Sequence, residues 1–236
     1  MGATITTLYR SLTTSHSVGS RASSPSSGSV YAHLRATKFR GLPVPVMRNV
    51  LRQTAVALDF VHRAGIVHSD LKPENMLIMD KGLTQVSLMD FGCSCLDRQP
   101  LYKTVQSLYY RAPEVIFGFK YGREIDVWSF GCLAYELATG RPLFQAKDEA
   151  NLIQKQVRLI GEPPAEMVKL SPKMAWLFSG RRIDRSAANR KRLAILEEAL
   201  GPIHPELAPL VSRCLEWLPA KRPTMGELAG SPFFEM

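Results

Sequence analysis

Asp70, Lys72, Asn75 and Asp90 are the side chains through which this sequence could do chemistry, and the chemistry is phosphoryl transfer. That reaction passes through a loose transition state, whose charge must be met by metal ions and fixed donors while the nucleophile is held in line. In His68-Ser69-Asp70-Leu71-Lys72-Pro73-Glu74-Asn75 a carboxylate is followed by an ammonium two residues on and a carboxamide five residues on. Asp90-Phe91-Gly92 then supplies a second carboxylate, and Ala112-Pro113-Glu114 a third signature. A lysine beside the transferred group is a point charge that needs no reorganisation as charge moves. Carboxylate and amide oxygens suit magnesium, a hard cation. Taken singly, each residue has a plainer explanation: an Asp before Phe-Gly is a turn residue, and a His in an apolar context a satisfied core histidine. Their joint order and spacing favour the chemical reading.

These residues need elements to hold them. Met47, Leu51, Leu58 and Val61 recur at helical spacing, with Thr54 between them, after Pro43 and Pro45, which suit a helix start; the helix ends near Ala64-Gly65. Ile66-Val67, Met76-Leu77-Ile78 and Val86 to Met89 read as short strands, so the reactive residues fall on loops between strands. Ile125 to Leu137 is apolar nearly all round, the mark of a buried helix. Stretches around Glu149 to Ile160, Lys191 to Leu200 and Glu206 to Leu218 read as amphipathic helices packed about it. The expectation is a mainly α body with short β-hairpins.

The 236 residues can bury one substantial core, and 45% hydrophobic with 22% charged residues is ordinary for a globular domain. No run is long and apolar enough to span a membrane. The net charge of +9 is spread along the chain without an aromatic-interleaved basic cluster, which argues against a nucleic-acid partner. The cysteines at 93, 95, 132 and 214 fit neither a disulfide framework nor paired zinc knuckles, so reduced thiols in a cytoplasmic or nuclear protein are expected. Residues 1–28, rich in Ser, Thr, Gly and Arg, form an expected disordered segment ahead of a folded 29–236. The start Met1-Gly2-Ala3-Thr4-Ile5-Thr6 meets the loose myristoylation pattern, and the lack of acidic residues before Asp59 is a feature of organellar transit peptides.

From roughly Ser29 to Phe234 the chain resembles the C-terminal lobe of a eukaryotic protein kinase of the CMGC group, and within it the dual-specificity tyrosine-regulated kinases. Asp90-Phe91-Gly92-Cys93-Ser94-Cys95 is similar to that family's Asp-Phe-Gly-Ser-Ser-Cys, and Gln106-Ser107-Leu108-Tyr109-Tyr110-Arg111 to its Gln-Ser-Arg-Phe-Tyr-Arg. Leu159 to Ala165 looks like the start of the CMGC insert, and Tyr31 to Gly41 like the helix after the hinge. The resemblance implies a kinase-like α+β lobe, with ATP and Mg2+ as cofactors and a protein hydroxyl, preferably followed by proline, as substrate. By it, Asp70 and Lys72 are catalytic; Lys72, Glu74, Asn75 and Asp90 meet the nucleotide; Asn75 and Asp90 hold the metal. Phe91 would pack on His68 and set the pose of Asp90. Glu114 would form a buried ion pair with Arg222, and Asp126 would hydrogen-bond the catalytic-loop backbone. Arg111, in the similar Gln106 to Arg111 stretch, is expected to be structural or regulatory, and Tyr102 and Thr104 fall at the family's activation-segment tyrosines.

Three departures follow. Ser69 stands where most kinases carry Arg and this family Cys. Thr104 replaces the autophosphorylated tyrosine, and Leu108 an arginine that would bind its phosphate. Nothing before Asp70 resembles a Gly-x-Gly-x-x-Gly or Val-Ala-x-Lys strand, so the five-stranded N-terminal lobe is expected to be missing, leaving an apolar upper face for a partner to cover. Two readings result: a kinase met in truncated form with little activity alone, or a lobe-only docking or regulatory protein.

Overall fold

The computed structural model describes residues 28–80, 82–99, 102–171, 188–201 and 204–235. The expected disordered segment and its targeting patterns lie outside these, except for Gly28.

Helix α1 (Val30–Ala36) is capped by Ser29, whose Oγ accepts the Ala32 amide at 3.2 Å. It is shorter than the Tyr31 to Gly41 stretch taken as one helix, because Lys38 and Phe39 adopt left-handed backbone (φ 56° and 54°) and turn the chain away. Helix α2 (Val44–Arg63) buries Met47, Val50, Leu51, Leu58 and Val61 along one face; Thr54 sits there without penalty because its hydroxyl donates to the Val50 carbonyl at 2.8 Å.

Four strands follow: β1 (Ile66–Val67), β2 (Met76–Ile78), β3 (Val86–Leu88) and β4 (Cys95–Leu96). Their pairing is nested. β2 pairs antiparallel with β3 (Met76 opposite Leu88, Ile78 opposite Val86), and β1 with β4 (Ile66 opposite Leu96, Val67 opposite Cys95). The loop 68–75 between β1 and β2 is thereby laid against the loop 89–94 between β3 and β4. Two small ladders are enough to bring Asp70 and Asp90, far apart in sequence, into one place.

Beyond the short α3 (Pro113–Phe117) runs α4 (Glu124–Thr139), which is buried on every side as its apolar sequence requires. Around it lie α5 (Glu149–Ile160), α6 (Ala165–Leu170), α7 (Ala188–Leu200), α8 (Leu207–Cys214) and α9 (Met225–Ala229). α8 ends at Cys214 rather than continuing to Leu218. The next residues are claimed by tertiary bonds: Glu216 accepts from Arg192 at 2.6 Å and the Trp217 indole donates to the Gly161 carbonyl at 3.1 Å. Pro219 then disfavours helix at Leu218. The architecture is mainly α with short antiparallel strands. Among the described residues no helix is long and apolar enough to cross a membrane, and no disulfide joins the cysteines.

Candidate active site

Asp126, at the head of α4, organises the loop 68–75 from beneath. It is fully buried, and its Oδ2 accepts from the His68 amide at 2.8 Å while its Oδ1 accepts from the Ser69 amide at 2.9 Å. Oδ2 also lies 2.9 Å from His62 Nε2. Burial pushes this carboxyl up, but the His62 hydrogen bond, the histidine charges and the His68 amide more than offset it and hold it below the ordinary value.

His68 Nδ1 accepts from the Asp70 amide at 3.2 Å, so Nε2 carries the proton and donates to the Met89 carbonyl at 3.1 Å. The ring is thus satisfied at both nitrogens and joins the two loops. Phe91 meets it edge to face, with centroids 4.8 Å apart. Met89 NH to Asn75 O (2.9 Å) and Ser94 Oγ to His68 O (3.1 Å) add two further ties.

The Asp70 carboxylate is held at both oxygens. Oδ1 accepts from the Ser107 amide (3.0 Å) and hydroxyl (2.8 Å); Oδ2 accepts from Lys72 Nζ (2.7 Å) and Asn75 Nδ2 (3.1 Å). Partial burial raises this carboxyl, yet the bonds from Lys72 and Ser107 and the ammonium charge outweigh it and keep Asp70 ionised below the usual range. Lys72 also donates to Ser107 Oγ at 2.8 Å. Asn75 donates again to the Asp70 carbonyl at 2.8 Å, so both of its side-chain bonds to Asp70 run through its amide nitrogen. Asp90, exposed and in left-handed backbone (φ 61°), accepts, among the described residues, from the Gly92 amide at 3.2 Å alone. Among the described residues the Asn75 amide oxygen and the second Asp90 carboxylate oxygen have no hydrogen-bond partner. That donor set suits magnesium, which is held through one or two carboxylates plus substrate phosphates.

Arg222 forms a two-pronged bond to Glu114, Nη1 to Oε1 at 2.7 Å and Nη2 to Oε2 at 2.8 Å, both residues buried. The pair ties α3 to the segment before α9. Arg111 donates through Nη2 to the Gln106 carbonyl (2.8 Å) and through Nη1 to Glu149 (3.0 Å), clamping the 105–111 segment onto α5. Tyr102 and Thr104 are exposed; the Tyr102 carbonyl accepts from Tyr121 at 2.8 Å, and Leu108 packs against the core.

Sequence reasoning missed Ser107, Tyr110 and Glu136. Glu136 is 2% exposed inside α4, where Tyr110 donates its hydroxyl to it. Burial raises the Glu136 carboxyl to about 7, with the Tyr110 bond lowering it and the Glu74 charge raising it. An acid in an otherwise apolar helix was the one available signal. These residues line a groove of about 1000 Å3 whose walls include Lys72, Glu74, Asn75, Ser107, Tyr110 and Glu136.

Comparison with known proteins adds the following. The model of the protein kinase domain matches residues 3–234. Dual specificity tyrosine-phosphorylation-regulated kinase 3 of Homo sapiens is 38% identical over 156 residues, 66% of this chain and 26% of that protein. Dual specificity tyrosine-phosphorylation-regulated kinase 2 of Drosophila melanogaster is 32% identical over 212 residues, 87% of this chain and 29% of that protein. Serine/threonine-protein kinase ppk5 of Schizosaccharomyces pombe is 34% identical over 198 residues, 81% of this chain and 24% of that protein. The chain spans about a quarter of the length of these curated relatives.

Proposed function

Because this chain belongs to the protein kinase domain family, we propose that its 68–107 constellation serves transfer of the ATP γ-phosphoryl group to a protein hydroxyl. One observation carries the reading: a carboxylate held ionised by Lys72, Asn75 and Ser107, beside a second loop whose Asp90 keeps an oxygen open. Asp70 orients the acceptor hydroxyl and takes its proton. Lys72 stands where it can neutralise charge on the transferred group. Asn75 and Asp90 would hold Mg2+, which would supply charge neutralisation at the phosphates. Glu74 flanks the same groove and completes the nucleotide-side set.

The groove supports two substrate features. Exposed Glu74 favours a basic side chain near the acceptor, and Glu136, whose carboxyl is raised to about 7, adds to it as pH rises through that value. The Gln106 carbonyl, already taken by Arg111, cannot accept an amide from the substrate residue that follows the acceptor; a proline, which has no such N–H, loses nothing there.

The test is a chimera placing residues 29–236 behind the upstream half of the Drosophila relative's kinase domain. Labelled phosphate should reach a Ser/Thr peptide from γ-labelled ATP, and Asp70→Asn should lower the rate by at least about 100-fold. Equal rates with and without the substitution would sink the proposal. The second reading, a docking or regulatory protein of the cytoplasm or nucleus, is supported by the groove of about 1000 Å3, which is large enough to seat a peptide. It requires the chain alone to bind peptides but not nucleotide.

A further inference from the structure

The groove changes sign along its length. Beside Asp70 its walls carry the exposed Glu74 and the nearly buried Glu136, with the Lys72 charge taken up by Asp70. One helical turn beyond Glu136, the end of α4 passes into Gly140, Arg141 and Pro142, and the turn after α1 brings Lys38 and Phe39 to the same part of the groove. Lys38 and Arg141 are both exposed, and among the described residues neither makes an ion pair.

The two cations are placed by backbone and not by chance contact of long side chains. Lys38 and Phe39 both stand in left-handed conformation, at a cost of about 1–3 kcal/mol each for residues other than glycine. The turn is closed by Phe39 NH to Leu34 O at 2.7 Å, and Thr37 Oγ1 donates to His33 O and Leu34 O. It then presses on the end of α4: a Cβ at Gly140 would lie 1.9 Å from the Phe39 carbonyl oxygen, and one at Gly41 1.8 Å from that of Ala138. Strain of this kind, held by surrounding structure, accumulates at binding sites. The carbonyl end of α4 carries roughly half a negative charge, which two full cations exceed. The local field therefore attracts an anion.

We propose that Lys38 and Arg141 form a specificity subsite that reads an acidic side chain of the substrate, on the far side of the basic residue from the acceptor hydroxyl. The inference rests on the reading of this groove as a peptide site. Glu136 and Gly140, the cap of α4 next to Arg141, are separated by about 6 Å along the helix axis, and an extended peptide advances about 3.3 Å per residue. The acidic residue thus falls about two positions beyond the basic one.

The experiment measures binding of fluorescein-labelled peptides to the full 236-residue chain by anisotropy, at low and high salt. Each peptide carries a serine, a nearby arginine and, two positions further on, Glu, Ala or Lys. The Glu peptide should bind about three- to tenfold more tightly than the Ala peptide, as expected for one or two surface ion pairs, and the advantage should shrink at high salt. Lys38→Ala with Arg141→Ala should erase that advantage while leaving the Ala peptide's affinity and the melting temperature unchanged. Equal affinity of the Glu and Ala peptides, or an advantage that survives the double substitution, overturns the subsite and leaves the peptide groove standing. Failure of every peptide to bind overturns the groove reading and this inference together. Glu136→Gln separates the two further: it should leave the Glu-over-Ala ratio unchanged, and a ratio that collapses with it overturns the subsite.

Discussion

Asp126 and Ser69 are joined by a 2.9 Å bond from the Ser69 amide to Asp126 Oδ1, and Ser69 sits in left-handed backbone (φ 68°) with no exposed surface. The bond holds a conformation that serine would not choose. It also sets where Asp70 begins.

Asp126→Asn should therefore destabilise the fold by about 3 kcal/mol, since a neutral amide offers one acceptor oxygen where two are used and leaves a buried N–H unsatisfied. The carboxyl is depressed in the folded state, so its contribution is present above the ordinary value of 3.8 and is lost as pH falls below it. Urea unfolding of the two proteins should show a gap that is constant near neutral pH and narrows in acid. A gap that widens in acid would contradict the assignment.

The Glu114–Arg222 pair gives the second prediction. Arg222→Met strands a buried carboxylate and should cost about 3–5 kcal/mol, whereas Arg222→Met with Glu114→Leu should recover much of the loss. Chemical denaturation checks this. Equal losses in the single and double variants would mean that the charges contribute little beyond their packing.

Glu136 behaves in the opposite sense to Asp126. Its carboxyl is raised to about 7 from an ordinary 4.5, so the folded state holds the proton more tightly than the unfolded chain. The resulting stability is complete below pH 4.5 and is lost as pH rises through about 7, on the order of 3 kcal/mol in all. Glu136→Gln should remove this slope, so the wild-type advantage over the variant falls as pH rises across that window. Parallel stability curves would refute it.

Millimolar ATP with magnesium should shift the melting temperature of the chain alone by roughly 1 °C or less. A ligand no more concentrated than its Kd adds at most about 0.4 kcal/mol, which is about 1 °C for a chain of this size. The side chains that would hold the adenine and the α- and β-phosphates are not among its motifs. A shift of several degrees that Asp90→Asn abolished would show the expectation wrong.

Much of the site could be read from the sequence because it is local: Asp70, Lys72 and Asn75 share one loop, and the register of that loop decides what they touch. The buried α4 was legible for the same reason, since its apolar run needs no partner to identify it. What stayed hidden depends on distant chain. Ser107 reaches Asp70 from 37 residues away. Glu136 acquires its raised carboxyl chiefly from burial by distant chain, with the Glu74 charge adding to it and the Tyr110 bond opposing it. β4 is two residues long and carries no alternation to detect. The Lys38-Phe39 turn lacks the Gly, Asn or Asp that would announce left-handed backbone, so a helix through Gly41 looked continuous.

The contact of Gly41 and Gly140 with opposing carbonyls has an evolutionary consequence. Where two main chains touch, the gap between the groove walls is set by backbone atoms, and it widens only if a side chain is added at Gly41 or Gly140 themselves. Lys38 and Arg141 project from that fixed gauge. Their charges can be swapped, lost or reversed without moving the wall, so the preference for one peptide over another can drift quickly while the frame that presents it stays the same.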